Sequence, residues 1–134
     1  MSDANVIQPD NWLAPRGYSN GISARGRVVL VAGQIGWNPV TGLIESADFA
    51  RQTAQALRNV AAVLKRADAR PEHLVRMTWF ITDRDSYLDS RAAIGDSYRE
   101  IMGRHFPAMS VVIVSGLIEP DAVVEIDATA IVPG

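Results

Sequence analysis

Glu125 is the carboxylate whose setting best suits chemistry. It lies in Val123-Val124-Glu125-Ile126-Asp127, a strand-like apolar run. A carboxylate among apolar neighbours at a cleft can act as a general acid or base. Val124, Ile126 and Ala128 alternate against Glu125, Asp127 and Thr129. That alternation also allows a plainer reading, with Glu125 beside Asp127 on the wet face, and spacing alone favours it. Tyr18, after Arg16-Gly17, can set a phenol on a ligand or be a half-buried strand tyrosine. Gly33 can offer a backbone N–H to an oxygen or simply mark a bulge. Trp37 can line a pocket, although aromatics more often belong to a core or interface. His105 is a candidate acid-base group, with a helix cap or surface role as the commoner alternative. Arg104 can bind an anion, but a helix C-terminus attracts arginine for dipole reasons alone.

Other chemistries are excluded or disfavoured. The chain has no cysteine, so it has no thiol nucleophile, disulfide or zinc-thiolate site. Two histidines, His73 and His105, argue against a multi-histidine metal site. There is no Gly-rich phosphate loop or nucleophile elbow. No metal-ligand spacing is present either. The 13 basic and 15 acidic residues nearly cancel, to a formal charge of -2. A nucleic-acid binder normally shows a basic excess or stripe, so nucleic acid is disfavoured as a partner.

These residues must be positioned by a small set of elements. The 134 residues, 48% hydrophobic, fit one compact domain over 1–134. Residues 1–17 read as irregular, broken by Pro9, Pro15 and Gly17. A short strand is expected over Tyr18 to Ala24. Val28 to Ala32 is a continuous apolar run, expected as a strand buried on both faces. The two glycines flanking Gln34, Gly33 and Gly36, permit close backbone approach. A helix capped by Asp48 follows, with Ala50, Thr53, Ala54, Leu57, Val60, Ala61 and Leu64 at helical spacing. It should stop near Asp68 to Arg70, ahead of Pro71.

A strand over His73 to Thr82 comes next, then a second helix over roughly Ser86 to Met102, capped by Asp83 or Asp85 and ended by Gly103. Strands over Ser110 to Leu117 and Val123 to Val132 complete a β-β-α-β-α-β-β order. The expected fold is α+β, one sheet with both helices on one face. The strands are too apolar to leave the other face to water, which predicts a homo-oligomer. No apolar stretch approaches the ~20 residues that span a bilayer. No targeting segment is evident at the N-terminus, so a cytoplasmic protein is expected.

Five segments together resemble one family. They are Arg16-Gly17-Tyr18-Ser19-Asn20-Gly21, Val31-Ala32-Gly33-Gln34-Ile35-Gly36, the helix Gln52 to Val60, His105-Phe106-Pro107-Ala108-Met109-Ser110, and Val124-Glu125-Ile126-Asp127-Ala128. In this order and spacing, over residues 12–132, they resemble the Rid (reactive intermediate deaminase) family, also called YjgF/YER057c/UK114. The resemblance implies a fold similar to the trimeric type of chorismate mutase, a homotrimer with inter-subunit clefts. It implies hydrolysis of an imine or enamine to a carbonyl product and ammonia without metal or cofactor. It matches Glu125 to the cleft glutamate that activates water, Tyr18 to the cleft tyrosine, and Gly33 to the glycine whose N–H meets the ligand. Ala32, Trp37, Ala108 and Met109 are the remaining expected substrate-binding positions.

The chain departs from the family pattern. Met109 stands where active members carry the arginine that clamps the substrate carboxylate. Ala32 stands in place of a serine, and Gly95 aligns with the cleft asparagine. Arg16 and Arg104 are candidates to replace the clamp. The resemblance therefore implies a deaminase of altered substrate, with a non-catalytic trimeric binding or regulatory module as the alternative. The ribonuclease or translation-inhibitor activity of some members is disfavoured by the acidic balance.

Overall fold

The computed structural model describes residues 4–134. Among these residues ten elements follow one another. They are β1 (Asn5–Ile7), β2 (Gly21–Ser23), β3 (Arg27–Ile35), α1 (Phe49–Arg66), a 3-10 turn (Pro71–His73), β4 (Leu74–Ile81), α2 (Arg84–Asp89), α3 (Arg91–Met102), β5 (Ala108–Ile113) and β6 (Val124–Val132). The main sheet has the order β3-β6-β4-β5, and β1 and β2 form a separate antiparallel pair. Among the strands of the described residues, only β4 and β5 pair in parallel, joined by the α2–α3 crossover. The α+β class and the packing of α1 and α3 on one sheet face agree with the sequence reading.

Helix α1 forms as its pattern requires. Asp48 caps it by accepting from the Arg51 amide at 3.0 Å. Leu57, Val60 and Leu64 are fully buried against Met77, Trp79, Val124 and Ile126 of the sheet. Its two buried amides serve the loops around the candidate site. Gln52 donates to the Ser46 and Asp121 carbonyls, both at 2.9 Å, and accepts from the Val123 amide at 3.0 Å. Asn59 donates to the carbonyls of Ile35 and Trp37 at 3.2 and 3.0 Å. Gly36 lets β3 approach α1, since a Cβ there would lie 2.6 Å from Gln52 Cα.

Four expectations are corrected. Asn5–Ile7 is a strand within a segment read as irregular, because its backbone pairs with Gly21–Ser23, a partner distant in sequence. The second helix is two helices broken at Ser90, whose amide is shared between the Ser86 and Tyr87 carbonyls. The strand expected over Ser110 to Leu117 instead spans Ala108–Ile113, because pairing with Arg76–Ile81 of β4 sets its extent. Lastly, β3 is not buried on both faces within one chain. Val29 and Val31 are buried, whereas Val28 and Leu30 are 57% and 75% exposed on the face away from the helices. Period-two geometry sends alternate residues to opposite faces, and helices cover only one of them.

Candidate active site

Strands β3 and β6 bring Glu125 to Gly33. Glu125 pairs with Ile35 on one side and Phe80 on the other. Beside it, β3 has a register shift between Val31 and Gln34 that contains Ala32 and Gly33. Glu125 folds over this irregularity. Its Oε2 lies 2.7 Å from the position a Cβ of Gly33 would occupy. Gly33 is thus both the bulge residue and the close-approach residue that its type allowed. The half-buried Glu125 side chain makes no hydrogen bond or ion pair among the described residues, which leaves its carboxylate available to a ligand or water. It lies on the face opposite the helices together with Asp127, as the plainer alternation reading required.

Tyr18 and Met109 meet elsewhere. They line a cavity of about 540 Å³ between β4, β5 and the α2–α3 crossover. The Tyr18 segment is held along the edge of β5, where the Ser19 amide donates to the Pro107 carbonyl at 3.0 Å and Ser19 bridges Ala108. Met109 pairs with buried Met77, so it points toward the helices, and Ala108 points the other way. Ala32 is exposed and its carbonyl accepts from Gln34 Nε2 at 3.2 Å. Trp37 is half-buried at the end of the β3 segment, bridged to Ile44 and outside this cavity.

Arg16 and Gly95 also line the cavity, whereas Arg104 is exposed away from it. His105 is a structural tie. Its Nε2 donates to the Leu74 carbonyl at 2.6 Å, and its own carbonyl accepts from the Tyr98 hydroxyl at 2.8 Å. Burial pushes the Tyr98 phenol well above its usual range, so it stays protonated. The Tyr98 ring stacks on Phe106 with centroids 5.4 Å apart.

Sequence reasoning missed Trp79, Arg91 and Arg99 as cavity residues. Trp79 is 2% exposed, and its Nε1 is a buried donor without a partner among the described residues. A signal for the arginines was present. Tyr87, Arg91, Gly95 and Arg99 recur every four residues, which places the last three on one stripe of α3. The stripe is polar, so a search for apolar periodicity passes over it.

Comparison with known proteins decides the family. The family model described as endoribonuclease L-PSP matches residues 10–132. The chain belongs to the Rid family. Among its Rid relatives is a RutC family protein of Pyrococcus horikoshii, 35% identical over 126 residues, covering 93% of this chain and 95% of that one. A 2-iminobutanoate/2-iminopropanoate deaminase of Escherichia coli K12 is 33% identical over 132 residues, covering 96% and 98%. The solved structure of the Rid protein YyfB from Yersinia pestis, described as of unknown function, superposes with a TM-score of 0.84. It is 30% identical and covers 97% of this chain and 99% of that one. Imine deamination is thus an activity found among this chain's relatives. Among the described residues no helix is long and apolar enough to cross a membrane.

Proposed function

We propose that this protein is a cytoplasmic deaminase that hydrolyses a reactive imine or enamine to a carbonyl product and ammonia, in clefts between copies of a homotrimer. The observation that carries the reading is the unpartnered Glu125 carboxylate folded over bare Gly33. It joins a base to a backbone that a substrate can approach. The 33% identity to an iminobutanoate deaminase supports the same chemistry.

The reaction asks little of the protein. An iminium carbon is already electrophilic. Glu125 takes a proton from water, and the hydroxide oxygen bonds to that carbon to give a neutral carbinolamine. Glu125 returns the proton to nitrogen. The C–N bond then breaks as the C=O bond forms, and ammonia leaves carrying the last hydroxyl proton as ammonium. Binding orients the water and the carbon, and Tyr18 donates a phenolic hydrogen bond to the substrate.

Oligomerisation belongs to this mechanism. Met109 and Glu125 sit two strands apart in the sheet order and three residues apart in register, roughly 14 Å, and on opposite faces. One chain does not combine the Tyr18 half with the Glu125 half. A neighbouring copy against the sheet face turned away from the helices supplies the missing half and covers Val28 and Leu30. A binding module without turnover is the second reading, favoured by Met109, which offers the cavity no charge.

An imine-trapping assay tests the proposal. An amino-acid oxidase or threonine dehydratase generates imino acids, semicarbazide traps them, and the protein competes. Wild type should lower trapping, and Glu125→Gln should not while keeping its oligomeric state. Undiminished activity in Glu125→Gln removes Glu125 as the base. Saturable ligand binding with no ammonia released from any imine favours the binding module.

A further inference from the structure

An acidic chain, of formal charge -2, sets three arginines and no carboxylate around one otherwise apolar and aromatic cavity. Arg16 comes from the loop before Tyr18, and Arg91 and Arg99 come from α3. Gly95, between the last two, makes room for Arg99. A Cβ at residue 95 would lie 3.2 Å from Arg99 Nη1 and 3.5 Å from Nη2, so the guanidinium rests against bare helix backbone. Asp96 accepts from one Arg99 nitrogen, Nη2, at 2.7 Å. Arg91 Nε donates to the Leu88 carbonyl at 3.1 Å, which anchors that guanidinium near its base. Both Arg91 Nη groups have no partner among the described residues. A guanidinium with unused donors matches a carboxylate in shape and charge. Met109 on the β5 wall is apolar and adaptable instead.

We propose that Arg91 and Arg99, the latter seated against Gly95, are the anion anchor of this cavity and hold the carboxylate of an acid with a large apolar or aromatic body. The cavity, about 540 Å³, falls within the roughly 300–1,000 Å³ of sites that enclose ligands well beyond a three-carbon acid. The aromatic lining of Tyr87, Tyr98 and Phe106 suits such a body. The inference rests on the reading that this cavity is the substrate half-site. It moves the grip on the anion from the strand to the helix, and with it the choice of substrate.

Calorimetric titration of the full chain with phenylpyruvate, pyruvate and phenylpyruvamide tests it without requiring turnover. Phenylpyruvate should bind about tenfold or more tighter than either of the others. Arg91→Gln and Arg99→Gln, both at exposed positions, should each weaken phenylpyruvate binding, and together by about tenfold or more, with unchanged circular dichroism and melting temperature. Arg104→Gln, outside the cavity, should leave binding unchanged. Equal affinity for acid and amide, undiminished affinity in the double variant, or no binding of phenylpyruvate overturns the anchor. If binding depends on both arginines while no imine is hydrolysed, the anchor stands and the deaminase reading falls. If imines are hydrolysed while binding ignores the arginines, the anchor falls alone.

Discussion

The Glu125 carboxylate occupies space that any side chain at Gly33 would need, with Oε2 2.7 Å from the missing Cβ. Gly33→Ala should therefore push the carboxylate aside. The displaced atoms are the far end of a flexible side chain, so the fold should persist. A displacement on the order of 1 Å at a catalytic group costs about 100-fold in rate. A fall in kcat of that order, with a near-wild-type melting curve, is the expected result in the trapping assay. An unchanged kcat would mean that the Glu125 position seen here is not the one used.

The face of the sheet turned away from the helices carries Val28, Leu30 and Val112, at 57%, 75% and 39% exposure. Light scattering at micromolar concentration should give three copies per particle. Leu30→Glu should break the assembly and also remove turnover, because Tyr18 and Glu125 no longer meet. A monomeric wild type, or an active monomeric variant, contradicts the inter-subunit cleft.

Gly95→Ala should move stability and binding in opposite directions. Alanine in place of a mid-helix glycine gains about 1 kcal/mol. Against this stands the exposed Arg99–Asp96 pair, at 45% and 80% side-chain exposure, worth about 0–1 kcal/mol before solvent screening is discounted. The added Cβ crowds the Arg99 guanidinium, so affinity for phenylpyruvate should fall while the melting temperature holds or rises. A rise in both would show that the placement of Arg99 does not matter.

Met109→Arg places a guanidinium on the β5 wall facing Tyr18 and the α3 arginines. It should raise kcat/KM for small 2-imino acids by about tenfold or more. For bulky acids it should lower kcat/KM, because it fills the cavity with a charged side chain. Competing imine substrates in one trapping assay read the ratio directly. No change in the ratio would place the selectivity elsewhere.

Asp83 gives a pH dependence outside the site. The Ser86 hydroxyl and then the Ser86 amide, at 2.7 and 3.0 Å, hold its carboxyl below the ordinary 3.8. A carboxyl lowered in the folded state stabilises the fold fully above its unfolded value and loses that contribution as pH falls through the folded one. The melting temperature of wild type should drop more than that of Asp83→Asn on acidification below pH 3.8. Parallel curves would show that this cap carries no pH-linked stability.

Much of the fold was legible in the sequence because its signals are local. Asp48 and Asp83 cap helices, Gly103 ends one, and the apolar spacing of Leu57, Val60 and Leu64 marks the buried stripe of α1. The break at Ser90 and the pairing of Asn5–Ile7 were not legible. The strand depends on Gly21–Ser23, a partner that no short window contains, and apolar residues continue across the break at Ser90.

The sequence by itself determined most of the elements, and the family through motifs that recur in order from Arg16 to Ala128. It also held every residue of the candidate site. Only the tertiary structure decided which of them meet. Two-residue alternation put Glu125 on one sheet face and Met109 on the other, and strand order set them two strands apart. The α2–α3 crossover brought Arg91 and Arg99 over Met109. Facing and proximity follow from how strands pair and helices pack, contacts made between residues distant in sequence, and one chain read in order cannot display them.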